Sequence, residues 1–396
     1  MKILSITSTY PRFLGDGAGS FIQSISEKLV EFGHELYIIA PDNHQVQYKW
    51  QTKVQVDRIL YILPRRLAKF GHGESLRADT FLKWYSYIFV VMFGIIAVLK
   101  ILINPTYRKA DVIYAHWLLP GGVIGAILSK LLNIPLVIHL HGSDVYVAER
   151  YMIFRPFVEF TLLSASKIIA CSENLAHRVI KLGGKNVIVI PYGVDVNVFV
   201  PPKERQSSQW KFITGIGRLV NKKGFNYLIL AAEKIVKKYP QCKFQIIGDG
   251  DQRDELIKLS NILNINDRVE FKGNVSWNLI PIVLANTDIF VLPSVVDKQG
   301  NVDGLPNVLL EAMSSGCAII ASNIGGISDV VIDGYNGLLV EPKNVDQLIS
   351  AIESLLSNEQ YRETLGKSAR QTVTAKYSWA KIVKMIEDTL YQVVIS

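Results

Sequence analysis

The sequence predicts an α/β protein built from two doubly wound domains, and three observations carry that expectation. Short apolar runs alternate with helix-period segments along the whole chain, the pattern of parallel strands joined by crossover helices. The chain has 396 residues, 49% of them hydrophobic, enough for two cores of roughly 150–200 residues each. A proline-led polar stretch, Pro201-Pro202-Lys203-Glu204-Arg205-Gln206-Ser207-Ser208, interrupts the alternation near its middle and reads as a linker. The expected division is therefore residues 1–205 and 206–377, with a cleft between the two sheets. No segment repeats at a period of about 20–50 residues, which sets a solenoid aside.

Before the linker, the strands expected are Ile3–Thr7, Leu36–Ala40, Arg58–Leu63, Val112–Ala115, Leu136–Leu140, Lys167–Cys171 and Val187–Ile190. Each is a short run of branched apolar residues, as strands buried on both faces require. After the linker come Lys211–Gly215, Phe244–Ile247, Val269–Phe271, Ile289–Leu292 and Ala318–Ala321. A final helix from Trp379 to Gln392 places Ile382, Ile386 and Leu390 on one stripe, which needs a surface to bury it.

Charge is unevenly spread. The net charge is +8; residues 1–200 carry 21 Lys and Arg against 14 Asp and Glu, and the remainder 22 against 21. Such asymmetry points the N-terminal half toward an anionic surface. Nucleic acid is not the expected partner, because neither a basic recognition helix nor an aromatic-basic sheet motif is present. Three scattered cysteines, Cys171, Cys242 and Cys317, fit a reducing compartment and no metal cluster. The apolar start ends at Thr7-Ser8-Thr9, too early for a signal peptide, so a cytoplasmic location is expected.

The stretch from Ser294 to Glu311 organises the second half. A buried strand ends, a polar loop with Asp297, Gln299 and Asn301 follows, and Asp303-Gly304-Leu305-Pro306-Asn307 leads into a helix carrying Glu311. A loop re-entering as a helix points free backbone N–H groups at one spot, a place for an anion. A carboxylate on an apolar helix face is costly unless something hydrogen-bonds to it. Asp303 and Glu311 could grip hydroxyls on different parts of one polyol, or serve only the helix dipole and cap. Gly215-Ile216-Gly217-Arg218-Leu219-Val220-Asn221-Lys222-Lys223-Gly224 brings two bases to the carboxyl end of a strand, where ligands bind in such sheets; a surface turn with solvated bases is the plainer alternative.

In the first half, Gly15-Asp16-Gly17-Ala18-Gly19-Ser20 precedes a helix whose N-terminus could face a phosphate. The glycine spacing is not that of the dinucleotide fingerprint. His141, in His139-Leu140-His141-Gly142-Ser143-Asp144, lies just past a strand, as does His116 in Tyr114-Ala115-His116-Trp117. Either could be a structural hydrogen bonder or a site residue. Asp249 and Asp251 in Gly248-Asp249-Gly250-Asp251 could hold a divalent metal or cap a turn.

These strings resemble, in order, the motifs of the retaining nucleotide-sugar glycosyltransferases of the GT-B fold, the group 1 type often called family 4. Asp303 and Glu311 match its acid-x7-acid motif, with Asp where Glu is usual. Arg218 and Lys223 match its phosphate-binding bases, and His141-Gly142-Ser143-Asp144 its His-Gly-x-Asp. Gly325-Gly326-Ile327-Ser328-Asp329 is similar to its glycine loop near the donor. The resemblance implies two Rossmann-like domains, with the last helix, 378–396, crossing back to the N-terminal domain. It implies hexosyl transfer from a nucleoside-diphosphate sugar to a glycan or lipid-linked acceptor, with no cofactor and no metal. In that picture Arg218 and Lys223 bind the diphosphate, and Gly17 and Gly19 approach it. Glu311 binds ribose, with Gly304, Leu305 and Asn307 beside it; Asp303 binds a sugar hydroxyl, and His141 the sugar near the reacting carbon. A nucleotide-sugar epimerase of similar fold and a non-catalytic sugar-nucleotide binder are the alternatives; the Asp303-to-Glu311 string argues against the first, and Arg218, Lys223 and Glu311 together against the second.

Residues 49–109 hold 11 Lys and Arg, among them Arg65, Arg66 and Lys69, against three acids, and enclose the apolar run Tyr85 to Leu99. That run falls short of the ~20 residues needed to span a bilayer. Packing on the sheet is one reading of it. The other is peripheral contact with an anionic membrane surface, which would put the protein at the membrane's inner face.

Overall fold

Each unit of the chain is organised around one parallel sheet. The computed structural model describes every residue except 49–52, 72–75, 79, 80, 83, 203–208, 299, 303 and 396. The chain divides into Met1–Pro191 with Trp379–Ser396, and Tyr192–Ser378.

The first unit contains β1 (Lys2–Ile6), β2 (Glu35–Pro41), β3 (Gln55–Ile59), a small antiparallel pair β4 (Leu76–Ala78) and β5 (Phe81–Leu82), then β6 (Val112–His116), β7 (Leu136–Leu140), β8 (Lys167–Ala170) and β9 (Val187–Val189). The main sheet runs β3-β2-β1-β6-β7-β8-β9. Every residue of β6 and β7 is buried, because helices cover both faces of the sheet. β1 pairs with β2 on one side and β6 on the other. The chain therefore changes its direction of growth there, and such a switch point leaves a crevice beyond the strands' carboxyl ends.

The second unit repeats the plan with β10 (Lys211–Ile216), β11 (Cys242–Ile247), β12 (Val269–Gly273), β13 (Ile289–Leu292), β14 (Ala318–Ser322) and β15 (Leu338–Val340), in the order β12-β11-β10-β13-β14-β15. Its switch point lies between β10 and β13.

The last helix, Trp379–Ile395, belongs to the first unit and packs on the helix Ser20–Glu31. Ile382, Val383, Ile386 and Leu390 join Ile22, Ile25 and Leu29 in one core. A buried contact of 2.7 Å between His34 Nε2 and Glu387 Oε1 fastens it.

Four strands differ from expectation, the unforeseen pair Leu76–Ala78 and Phe81–Leu82 among them. The third strand is Gln55–Ile59, three residues earlier than expected. Its partner β2 ends at Pro41, opposite Ile59, and Asp42 N closes the ladder by donating to Ile59 O at 2.9 Å. Leu338–Val340 pairs with β14 as a sixth strand, whereas its sequence reads as part of a turn; three residues are too few for alternation to register. Within the proline-led stretch, 203–208 lie outside the described residues.

Candidate active site

At the second unit's switch point, β10 ends at Ile216 and the chain runs through Gly217-Arg218-Leu219 into a short turn, Asn221–Lys223, and the helix Phe225–Lys238. Backbone hydrogen bonds pin this loop to the end of β11: Gly217 N donates to Ile247 O and Leu219 N to Asp249 O, both at 2.9 Å. Glycine is required for the approach. A Cβ on Gly248, where φ is +131°, would lie 1.9 Å from Gly217 O, and one on Gly224, at φ +64°, 2.0 Å from Pro293 O. Lys222 O accepts from Val295 N at 2.8 Å, which joins the loop to the segment after β13. Lys223 is buried, and its stem passes Gly217 closely enough that a Cβ there would stand 3.3 Å from Lys223 Cε. Arg218 and Lys223 thus sit on a loop clamped from both sides. Asp249 accepts from Gly250 N at 2.8 Å within the neighbouring turn.

This packing makes a prediction about Gly248→Ala. Gly334 also has positive φ (+69°) but open space around it, so Gly334→Ala pays backbone strain alone, on the order of 1 kcal/mol. Gly248→Ala adds the overlap with Gly217 O and should cost several times more. Thermal melts of the two variants check this; equal losses would contradict it.

After β13 the chain passes Ser294 and returns through Gly304, Leu305 and Pro306 to the helix Asn307–Ser314. Gly304 O accepts from Gly326 N at 2.6 Å, bringing the Gly325-Gly326 loop against this segment. Asp303 and Gln299 lie outside the described residues. Leu305, Leu309 and Leu310 are buried, while Asn307 and Glu311, one turn apart, are only partly buried and so share a helix face. Asn307 Oδ1 is buried with no hydrogen-bond partner. Burial pushes the Glu311 carboxyl up to about 7, against a hydrogen bond from Trp277 Nε1 at 3.1 Å that favours the ionised form. The helix's carboxyl end is held by Arg370, whose Nη1 donates to Ser314 O at 2.8 Å and Phe199 O at 2.6 Å, a cation where the helix dipole favours one. Neither Trp277 nor Arg370 carries a sequence signal, since each meets its partner across a long stretch of chain.

In the first unit, Gly19 (φ +79°) precedes the helix Ser20–Glu31 and accepts from Ile22 N at 3.0 Å. A Cβ on it would meet Thr9 O at 3.1 Å, whereas Gly17 is exposed in open space. Arg12 Nε to Asp16 Oδ2 at 2.6 Å braces the loop. Burial raises the Asp16 carboxyl, but hydrogen bonds from Arg12 and Ala18 outweigh it and hold the group below its ordinary value.

His141 follows β7 and stands among aromatic rings: Phe21 with centroids 4.7 Å away, Trp117 at 4.9 Å and His116 at 5.4 Å. Trp117 holds φ at +64°, a strained value for a bulky residue that costs on the order of 1–3 kcal/mol. His116 Nδ1 lies 3.1 Å from His141 Nε2 with planes 14° apart, so the rings meet edge to edge and share one proton. Burial, with the neighbouring histidines adding to it, lowers both well below the usual imidazole range. Burial likewise takes His139 down to about 3, and its Nδ1 lies 2.6 Å from Tyr114 OH. Among the described residues these three histidines are the one set with ligand atoms close enough, within 4.8 Å, to share a metal ion. The facing nitrogens of His116 and His141 already satisfy each other, and a dication would be buried among them without a carboxylate. Asp144 closes the turn, accepting from Leu118 N at 2.5 Å and Gly142 N at 3.1 Å.

Comparison with known proteins identifies the family. Residues 200–372 match the family model for glycosyl transferases group 1, and residues 15–198 that for glycosyltransferase family 4. An uncharacterized glycosyltransferase of Methanocaldococcus jannaschii is 30% identical over 69% of this chain and 73% of its own length. A UDP-Gal:α-D-GlcNAc-diphosphoundecaprenol α-1,3-galactosyltransferase of Escherichia coli is 26% identical over 73% and 77%. Anabaena HepE, solved in complex with UDP-glucose, superposes with a TM-score of 0.76 at 22% identity, over 99% of this chain and 100% of that one. The chain therefore belongs to the group 1, family 4 glycosyltransferases of the GT-B fold.

Proposed function

We propose that the protein moves a hexosyl group from a nucleoside-diphosphate sugar to a hydroxyl of a glycan or lipid-linked acceptor, with retention of anomeric configuration. The observation that carries this is the clamped loop of Arg218 and Lys223, beside the loop and helix that lead to Glu311. A departing diphosphate accumulates negative charge, and cations and helix N-termini already in place stabilise it without reorganising. In this reading Arg218 and Lys223 hold the diphosphate, and Gly17 and Gly19 let backbone come near it. Glu311 accepts from the ribose hydroxyls, with Gly304, Leu305 and Asn307 beside it. Asp303 grips a sugar hydroxyl, and His141 touches the sugar near the reacting carbon. Acceptor attack comes from the face the leaving group departs, and the leaving phosphate oxygen takes the acceptor's proton. The acceptor is presented at an anionic membrane surface. The E. coli relative's name, with its diphosphoundecaprenol, supports a lipid-linked acceptor.

A thermal-shift screen of nucleoside-diphosphate sugars tests the reading. One nucleotide should raise Tm in the wild type and fail to do so in Lys223→Ala; no shift with any of them would sink it. Turnover should also survive EDTA, because Arg218, Lys223 and helix N-termini supply the positive charge. Loss that Mg²⁺ or Mn²⁺ restores would return Asp249 and Asp251 to consideration as ligands.

A further inference from the structure

The helix Trp84–Ile103 buries Phe89, Phe93, Ala97 and Ile101 at four-residue spacing, so one stripe is locked against the first unit. Its outward side should then be polar. Instead Ile88, Val91, Ile95, Leu99 and Ile103 are 53–78% exposed, and nothing charged stands between Tyr87 and Leu99. The neighbouring helices repeat this. Val123–Leu132 packs beside Trp84–Ile103, and Arg155–Ser164 beside Val123–Leu132. Leu131 is exposed on the former and Phe157, Phe160 and Leu163 on the latter. Met152 and Ile153, in the turn that leads into the third helix, are both 77% exposed. Exposed apolar side chains therefore lie on three adjacent helices, and clustered exposed apolar surface marks an interaction site.

We infer that this three-helix face is the surface on which the protein lies flat on an anionic lipid bilayer, its apolar side chains inserted to the level of the acyl boundary. Charge around the face selects this occupant. Exposed Arg108 and Lys109 follow the first helix, Lys130 adjoins Leu131, and Arg150 precedes Met152 and Ile153. The acids nearby are already engaged: Asp57 with Lys100 at 2.6 Å and Glu159 with Arg155 at 2.8 Å. A second copy meeting this face about a two-fold axis would set like charge against like, whereas anionic headgroups complement it. Among the described residues no helix is long and apolar enough to cross a membrane, and a helix with one stripe fixed in a protein core lies in the interface plane.

The structure also changes which residues do the binding. Arg65, prominent in the basic sequence region, is committed to Asp42 at 2.9 Å and to the carbonyl of Asn43 at 2.8 Å. Attachment should therefore come mainly from insertion and resist salt, which screens charge but not apolar burial.

The face serves a lipid-linked acceptor and in that respect rests on the function proposed above, but it is tested without turnover. The full chain is floated with phosphatidylglycerol–phosphatidylcholine vesicles in low and high salt, beside Ile95→Glu/Phe157→Glu. The wild type should float in both salts, and the double variant should lose about tenfold or more of its bound fraction. Nucleotide-induced Tm shifts equal to wild type would show the variant folded. Wild-type protein that stays at the bottom in both salts, a variant that floats like wild type, or a wild-type dimer that the substitutions break without any flotation would each overturn the inference. Flotation without transfer to any lipid acceptor would leave the inference standing and overturn the acceptor reading.

Discussion

Lys223→Ala is expected to lower turnover at saturating donor by about 100–1,000-fold, with Arg218→Ala close behind, the usual loss when one preorganised charge-stabilising group is removed. The reason lies in how rigidly the loop is held. Gly217 O packs so closely against Gly248, and Gly224 against Pro293 O, that the segment from Gly217 to Gly224 cannot shift to bring another base into place. Lys223→Arg should rescue little, because the lysine stem is buried beside Gly217 and a guanidinium is bulkier than an ammonium. Melting temperatures near wild type would assign the loss to catalysis. Near-wild-type turnover in both alanine variants would remove these two bases from the diphosphate.

Glu311→Ala should weaken binding of the nucleoside diphosphate by about 1.5–3 kcal/mol, the range for a hydrogen bond to a charged group, read by calorimetry. An unchanged Kd would return Glu311 to a helix-dipole role. A pH signature accompanies it. The carboxyl is pushed up to about 7, and ribose hydroxyls donate to the ionised form. Affinity should therefore rise with pH up to about 7 and level off above, with proton uptake by the buffer on binding below that value; Glu311→Gln should abolish the slope. Stability runs the other way. The folded-state value lies above the unfolded one, so the native state binds more protons between about 4.5 and 7 and loses stability as pH rises through that window. Glu311→Gln should then melt higher than wild type above pH 7, since a group poised for a ligand is strained without one.

Much of the fold was legible because parallel strands covered on both faces must be continuous apolar runs, and Leu136–Leu140 or Ile289–Leu292 can hardly be anything else. The GT-B family was legible for a different reason: loops at strand ends carry residue types in a fixed order. What stayed hidden is what depends on distant partners. Trp277 reaches Glu311 from 34 residues away, and Arg370 reaches Phe199 across 171; neither has a local pattern. The head-to-head contact of His116 with His141 requires the β6–β7 register, which aligns His116 with His139. The apolar run after Tyr85 was visible, but only packing shows which stripe faces inward and that two further helices extend the exposed side. β15 was missed because it is three residues long and borrows its order from β14.

Product analysis by NMR tests the central claim most directly. The sugar nucleotide picked out by thermal shift is incubated with the protein, alone and with a lipid or glycan extract bearing acceptors. The account predicts release of the free nucleoside diphosphate together with a new glycosidic bond of the donor's own anomeric configuration, only when acceptor is present and not with Lys223→Ala. A rearranged sugar still joined to its diphosphate in the donor-only tube, or an inverted anomeric centre in the product, would contradict it.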